Sequence, residues 1–319
     1  QQFVKRCCQN LHVREHANAI LFLAHHSADP FVFKQLQEAV DSKFPLTATL
    51  KFQGDTERLD KLVDTAPVLV YDEALRTERR HEAQSEDHRI ELHLDSVSKY
   101  KKKELHEAET EQSLQLVSDI NGLIKGIEIL GTALKANFGT IEAGQKQELV
   151  AAIFNGGLRG LRVFVELFSD IPDYIMGELA AVLEDSAEAT NEEKERAIKI
   201  RVFHVISRFS FWFVRRIGTS IGSKSMAPAV ERYVQSNDTI ANQLIAMAGA
   251  LETPGRIPFK ELQAINERVF KAPFALSILR LIAFTRMHMY KTLEAEKQQV
   301  CSELGIRMAT QRAIEYRTK

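Results

Sequence analysis

Arg196 to Ile217 reads RAIKIRVFHVISRFSFWFVRRI. Ile198, Val202, Val205, Phe209 and Phe213 recur at steps of three and four, which is one face of an α-helix. Phe203, Ile206, Phe211, Trp212 and Val214 widen that face until little of the circumference is left for water. Such a helix predicts the centre of a bundle, because each large side chain buried there contributes roughly 1.5–3 kcal/mol. What remains is basic. Lys194, Arg201, Arg208 and Arg215 fall seven apart along one side, with Arg216 beside them. Long basic stems suit a solvated edge that covers apolar neighbours; the sharper expectation is contact with an anionic partner.

Moving outward, everything from Ser113 carries helical periodicity. Leu116, Ile120, Leu123, Ile127, Leu130 and Leu134 form a seam, Gly122 and Gly126 predict close approach of a neighbour, and Asn137-Phe138-Gly139 closes the helix. A second helix begins near Glu142 and carries Leu149, Ile153, Leu161, Phe164, Val165 and Phe168, with an expected interruption at Asn155-Gly156-Gly157. A third is capped at Ser169 or Asp170 and runs through Leu183, and an acidic connection over 184–193 leads to the central stretch. After a Gly/Ser loop from Gly218 to Ala227, helices are expected over 228–251 (broken near Asn237), 258–271 and 273–304. Gly305 is the last cap, followed by a basic tail to Lys319.

The first hundred residues read as β-α-β-α-β-β-α. Ala19 to Ala24 (AILFLA), Leu46 to Phe52, Val68 to Tyr71 and Arg89 to Leu94 are the expected strands. Asp29 caps a helix from Pro30, and Glu73 to Asp87 is expected as a surface segment. This order, with Pro67 before a strand, resembles the thioredoxin-like fold over residues 17–109. The position of that family's Cys-x-x-Cys holds His25, His26, Ser27 and Ala28, so thiol–disulfide exchange is excluded there. Followed by helices, the order also resembles a glutathione transferase. That resemblance implies Ser27 as activating hydroxyl, Ala66-Pro67 as backbone contact and Asp95-Ser96 as the pair holding a γ-glutamyl group. A Rossmann-like or TIR-like domain fits the same pattern. The fold expectation is mainly α: a small α/β domain over 1–109 and an all-helical bundle over 110–319.

The 319 residues have a formal net charge of −1 and 45% hydrophobic content. These values support a real core and give no global field for nucleic acid or an acidic membrane. Cys7, Cys8 and Cys301 form no disulfide framework, so a reducing, cytoplasmic setting is expected. No uncharged apolar run approaches the roughly 18 residues of a membrane span. The start, QQFVKRCCQN, has no signal-peptide pattern and no Met, and reads as that of a processed or shortened chain.

Catalytic motifs are incomplete. VLVYDE at 68–73 resembles a Walker B segment, but Gly218 to Ser225 does not have phosphate-loop spacing. His12 and His16 lack a third metal ligand, and no metal or cofactor is expected. Arg76 and His81 have the spacing of the HEPN ribonuclease motif. His25, His26, Ser27, Pro67, Asp95 and Ser96 are the candidate small-molecule residues, and Arg201, Arg208, Arg215 and Arg216 the candidate partner residues. The leading expectation is a non-catalytic interaction or scaffold protein that binds a protein partner or self-associates. The alternatives are an enzyme using the N-terminal domain, transferase-like or nucleotide-processing, and a nucleic-acid binder using the basic helix.

Overall fold

The computed structural model describes residues 1–100, 108–169 and 191–309. In chain order the helices are α1 (Gln2–Gln9), α2 (Arg14–His26), α3 (Pro30–Asp41), α4 (Glu57–Asp60), α5 (Arg76–Tyr100), α6 (Ala108–Ala136) and α7 (Ala143–Ser169). After them come α8 (Asn191–Ile221), α9 (Ala227–Ser236), α10 (Ile240–Leu251), α11 (Phe259–Val269), α12 (Pro273–Met289) and α13 (Glu294–Leu304). Two short strands, β1 (Val70–Tyr71) and β2 (Arg307–Met308), pair in parallel. No described helix is long and apolar enough to cross a membrane. The expected helices over 170–183, the connection through 190 and the tail beyond 309 lie outside the described residues.

Helix α8 is the centre. It packs against α6, α7, α10 and α12, and Phe203, Ile206, Phe213, Val214 and Ile217 are almost completely buried. One residue of its expected apolar face departs: Val205 is 59% exposed. Two helices cross α8 closely because glycine removes the Cβ at the contact. A Cβ on Gly218 would stand 2.7 Å from the Gly249 nitrogen of α10, and one on Gly131 of α6 would strike the Ser220 backbone. Helix α7 runs unbroken through Asn155-Gly156-Gly157. Its glycines admit Val40 and Ile217 instead of ending the helix. Gly305 caps α13 at φ 63°, as expected, whereas 290–293 separates α12 from α13.

The N-terminal expectation is corrected. Ala19 to Ala24 is the second half of α2, not a strand. A six-residue apolar run fits either element, and here the burial decides. Ala17, Ile20 and Ala24 are buried at helical spacing toward α6, while Leu21 and Phe22 are exposed. Leu46 to Phe52 is an unpaired segment along α7. Its Leu50 N–H donates to the Leu158 carbonyl (3.3 Å), and Phe52 leaves the extended region at φ 60°. Arg89 to Leu94 and most of 73–87 belong to α5. Only Val70–Tyr71 of the expected strands forms one, and its partner is Arg307–Met308. The described residues of 1–109 therefore do not build a separate thioredoxin-like or Rossmann-like sheet. Helices α1 to α3 join the same hydrophobic cluster as the bundle, through α6 and α7.

The α8–α10 crossing is testable by equilibrium urea unfolding. Gly218→Ala is expected to cost about 1–3 kcal/mol through overpacking. Gly144→Ala, at a helical position with nothing within 4 Å, is expected to gain up to about 1 kcal/mol. Equal effects would contradict the close crossing.

Candidate functional site

Helix α5 is the most polar of the long helices, and it does not lie flat on α8. Between them is an opening of about 410 Å³. Its floor is Phe209, Phe211 and Trp212 of α8 with Leu281 and Phe284 of α12, and the exposed Val205 stands at its edge. Phe209 is fixed from behind by stacking on Phe164 of α7, ring centroids 3.8 Å apart. The roof is one face of α5, where residues 79, 82, 83, 86, 87 and 90 fall on the same side of the helix. That face supplies only Ala83 and Ile90 as apolar groups.

The roof is held by charge. Arg208 binds Glu86 at 2.9 Å. Arg215 binds Asp87 at 2.7 Å and donates through Nε to Glu252 of α10. Arg216 reaches Glu91 of α5 and also Glu128 of α6 at 3.0 Å. Burial opposes charge on Arg215, but Glu252 and Asp87 outweigh it and hold its pKa above the ordinary value. Burial pushes the Glu128 carboxyl up despite Arg216 beside it. The expected basic strip is therefore real, but its Arg208, Arg215 and Arg216 carry partners from the chain itself. Arg201 is exposed one turn and more before them.

His288 of α12 stands where α5 passes over. Its Nδ1 lies 2.8 Å from the Phe284 carbonyl, which can only accept, so that nitrogen carries the proton. Its ring packs against Tyr71 and Phe284, and its carbonyl accepts from Arg76 Nε at 3.3 Å. Burial pushes the imidazole pKa down, and Arg79 and Arg76 add to that. A second groove, about 520 Å³, runs over α10 between α9 and α11. Val230, Val234, Met247 and Ile265 line it, and Lys224, Glu231, Arg256 and Glu261 give it no excess of either sign.

The small-molecule candidates are not gathered there. His25 and His26 end α2, and Ser27 follows in an extended conformation. The Ser27 hydroxyl accepts from Asp29 N–H, and Asp29 caps α3 at 2.9 Å, so this is a helix-to-helix turn beside Asn137. Pro67 belongs to a strap whose carbonyls at Ala66 and Pro67 accept from Arg280 Nη1 at 2.8 and 3.0 Å. Asp95 and Ser96 lie inside α5, not at a helix start. Among the described residues no three His, Cys, Asp or Glu side chains group as a metal site would require. All three cysteines are buried, and burial raises Cys8 to about 12 and Cys301 to about 11, where thiolates are scarce at neutral pH.

Sequence reasoning missed the acids Glu86, Asp87 and Glu91. A signal was present, since no Gly or Pro interrupts the chain between Pro67 and Gly122. Comparison with known proteins finds no matching family model, curated protein or solved structure.

The two roof arginines should differ in stability tests. Arg215 keeps 13% side-chain exposure and Arg208 62%. Arg215→Met strands two half-buried carboxylates and is expected to cost about 3 kcal/mol, whereas Arg208→Met should stay within about 1 kcal/mol. Urea unfolding that ranks them equally would refute the arrangement. His288 sets a pH dependence. The folded ring stays neutral while the unfolded one takes a proton below about 6.5, so its contribution is complete above that pH and lost as pH falls through it. His288→Gln is expected to flatten the slope of stability between pH 7 and 5, and an unchanged slope would count against a buried neutral ring.

Proposed function

We propose that the chain is a non-catalytic interaction protein that receives an acidic amphipathic helix of a partner on the α8–α12 face, with its own α5 as the resident occupant. The observation that carries this is the opening of about 410 Å³ between an aromatic floor and a polar roof. Burying an aromatic side chain is favourable by roughly 1.5–3 kcal/mol, and α5 offers that floor little beyond Ala83 and Ile90. What α5 does offer is acid, at Glu86, Asp87 and Glu91 against the arginines. A helix with the same acids and larger apolar groups would match both features, by the groove-binding mode in which side chains three and four apart serve as anchors. Displacing α5 would take Glu86 and Asp87 from Arg208 and Arg215 and leave them, with the exposed Arg201, to the incoming carboxylates.

The nucleic-acid alternative draws less support, since it needs the same arginines without their acids. The transferase-like alternative rested on an N-terminal sheet, and its residues are carried by the turn after α2, the 66–67 strap and α5.

Trp212 is the chain's one tryptophan and lines the opening, so its fluorescence reads the site directly. A synthetic helix with a Leu/Phe face and glutamates should change that emission, and its affinity should fall as salt rises. The double variant Glu86→Gln, Asp87→Asn loosens the roof and is expected to bind the peptide about tenfold more tightly. A lysine version of the peptide should bind far more weakly. Equal binding of both peptides, or no response from Trp212, would refute the proposal.

A further inference from the structure

The other flank of α5 has a different character. Thr77, Arg80, His81 and Gln84 fall on the face of α5 adjoining the one over the aromatic opening, and with Arg76 at the boundary and His288, which borders both, they line a recess of about 320 Å³. No described carboxylate lines it. Glu73 is already engaged: it accepts from Lys297 at 2.6 Å and Tyr71 at 2.5 Å, and Arg76 Nη1 lies 3.5 Å from its other oxygen. Arg76 also donates Nε to the His288 carbonyl, which fixes its guanidinium at the edge of the recess. Arg80 and His81 are exposed.

We infer that this recess is a binding site for a phosphate group. Two guanidiniums, a hydroxyl, a carboxamide and two imidazoles line it with no described carboxylate among them, although Glu73 pairs with Arg76, in a chain of net charge −1. Guanidinium forks match the oxygens of a phosphate and bind them with charge-assisted hydrogen bonds. Thr77 and Gln84 supply neutral donors. His288 adds a preference. Its Nδ1 is committed to the Phe284 carbonyl, so the neutral ring presents Nε2 as an acceptor on its far side. A phosphate or phosphomonoester that keeps one proton carries the O–H this nitrogen can accept. The site adjoins the proposed partner site and shares His288 with it, but its residues take no part in the ion pairs to α8.

The test is calorimetric titration of the full chain with inorganic phosphate, against chloride at matched ionic strength. Arg80→Gln with His81→Gln changes two exposed side chains. It should leave the melting temperature in chloride unchanged and weaken phosphate by about tenfold. Arg268→Gln, on α11 and paired with Asp238, should leave phosphate binding unchanged. A nucleoside monophosphate and vesicles of phosphatidylcholine with phosphatidic acid separate the sources: the arm that depends on Arg80 and His81 identifies whether the phosphate comes on a soluble molecule or a lipid. Absence of binding in every arm, binding indifferent to Arg80 and His81, or equal loss in Arg268→Gln would overturn the site.

Discussion

A helix that is apolar around most of its circumference has to be enclosed, and the rest of this structure follows from enclosing α8. Among the described residues four helices pack on it, two of them brought to backbone contact through Gly218, Gly249 and Gly131. Such crossings gain dispersion contacts along their whole length and lose them sharply when a methyl group intervenes. The side left open is the one that carries arginine. Charges at the margin of an apolar surface are costly unless paired, and α5 supplies the pairs. The polar helix is thus a consequence of the greasy one.

The division of labour along α5 comes from its two faces. Toward α8 it brings acids, which meet Arg208, Arg215 and Arg216. On the adjoining face it brings bases, and no described carboxylate lines the recess they form. Among its described side chains α5 is held through charges and through Ile90 and Leu94, with packing on α6 and α12, whereas α8 is held by a continuous core. Elements held in the first way open at lower free energy than elements held in the second, which is what a resident occupant of a binding face requires.

The central helix was legible because its periodicity persists over many turns and no other element produces it. The same holds for the seam of α6, the break at Asn237 between α9 and α10, and the caps at Asp29 and Gly305. The N-terminal sheet was misread for a physical reason. AILFLA is too short for its period to choose between strand and helix, and the choice is made by α6, more than a hundred residues away, against which Ile20 and Ala24 pack. Val70 and Tyr71 did become a strand, but the edge they pair with is Arg307–Met308, which no local pattern announces. At the site, the basic row on 201–216 was readable from its spacing. Its pairing was not, because Glu86, Asp87 and Glu91 sit in a charged run whose helicity was hidden by its polarity. Arg280, which gathers the Ala66 and Pro67 carbonyls, likewise acts across the sequence.

The central claim is that α5 is a detachable cover held by charge over a rigid α8. Native-state hydrogen exchange measures both helices in one experiment. The account expects α5 amides to exchange well before those of α8, and to exchange faster as added salt screens the arginine–carboxylate pairs. Exchange of α5 and α8 together, at a rate that ignores salt, would contradict it.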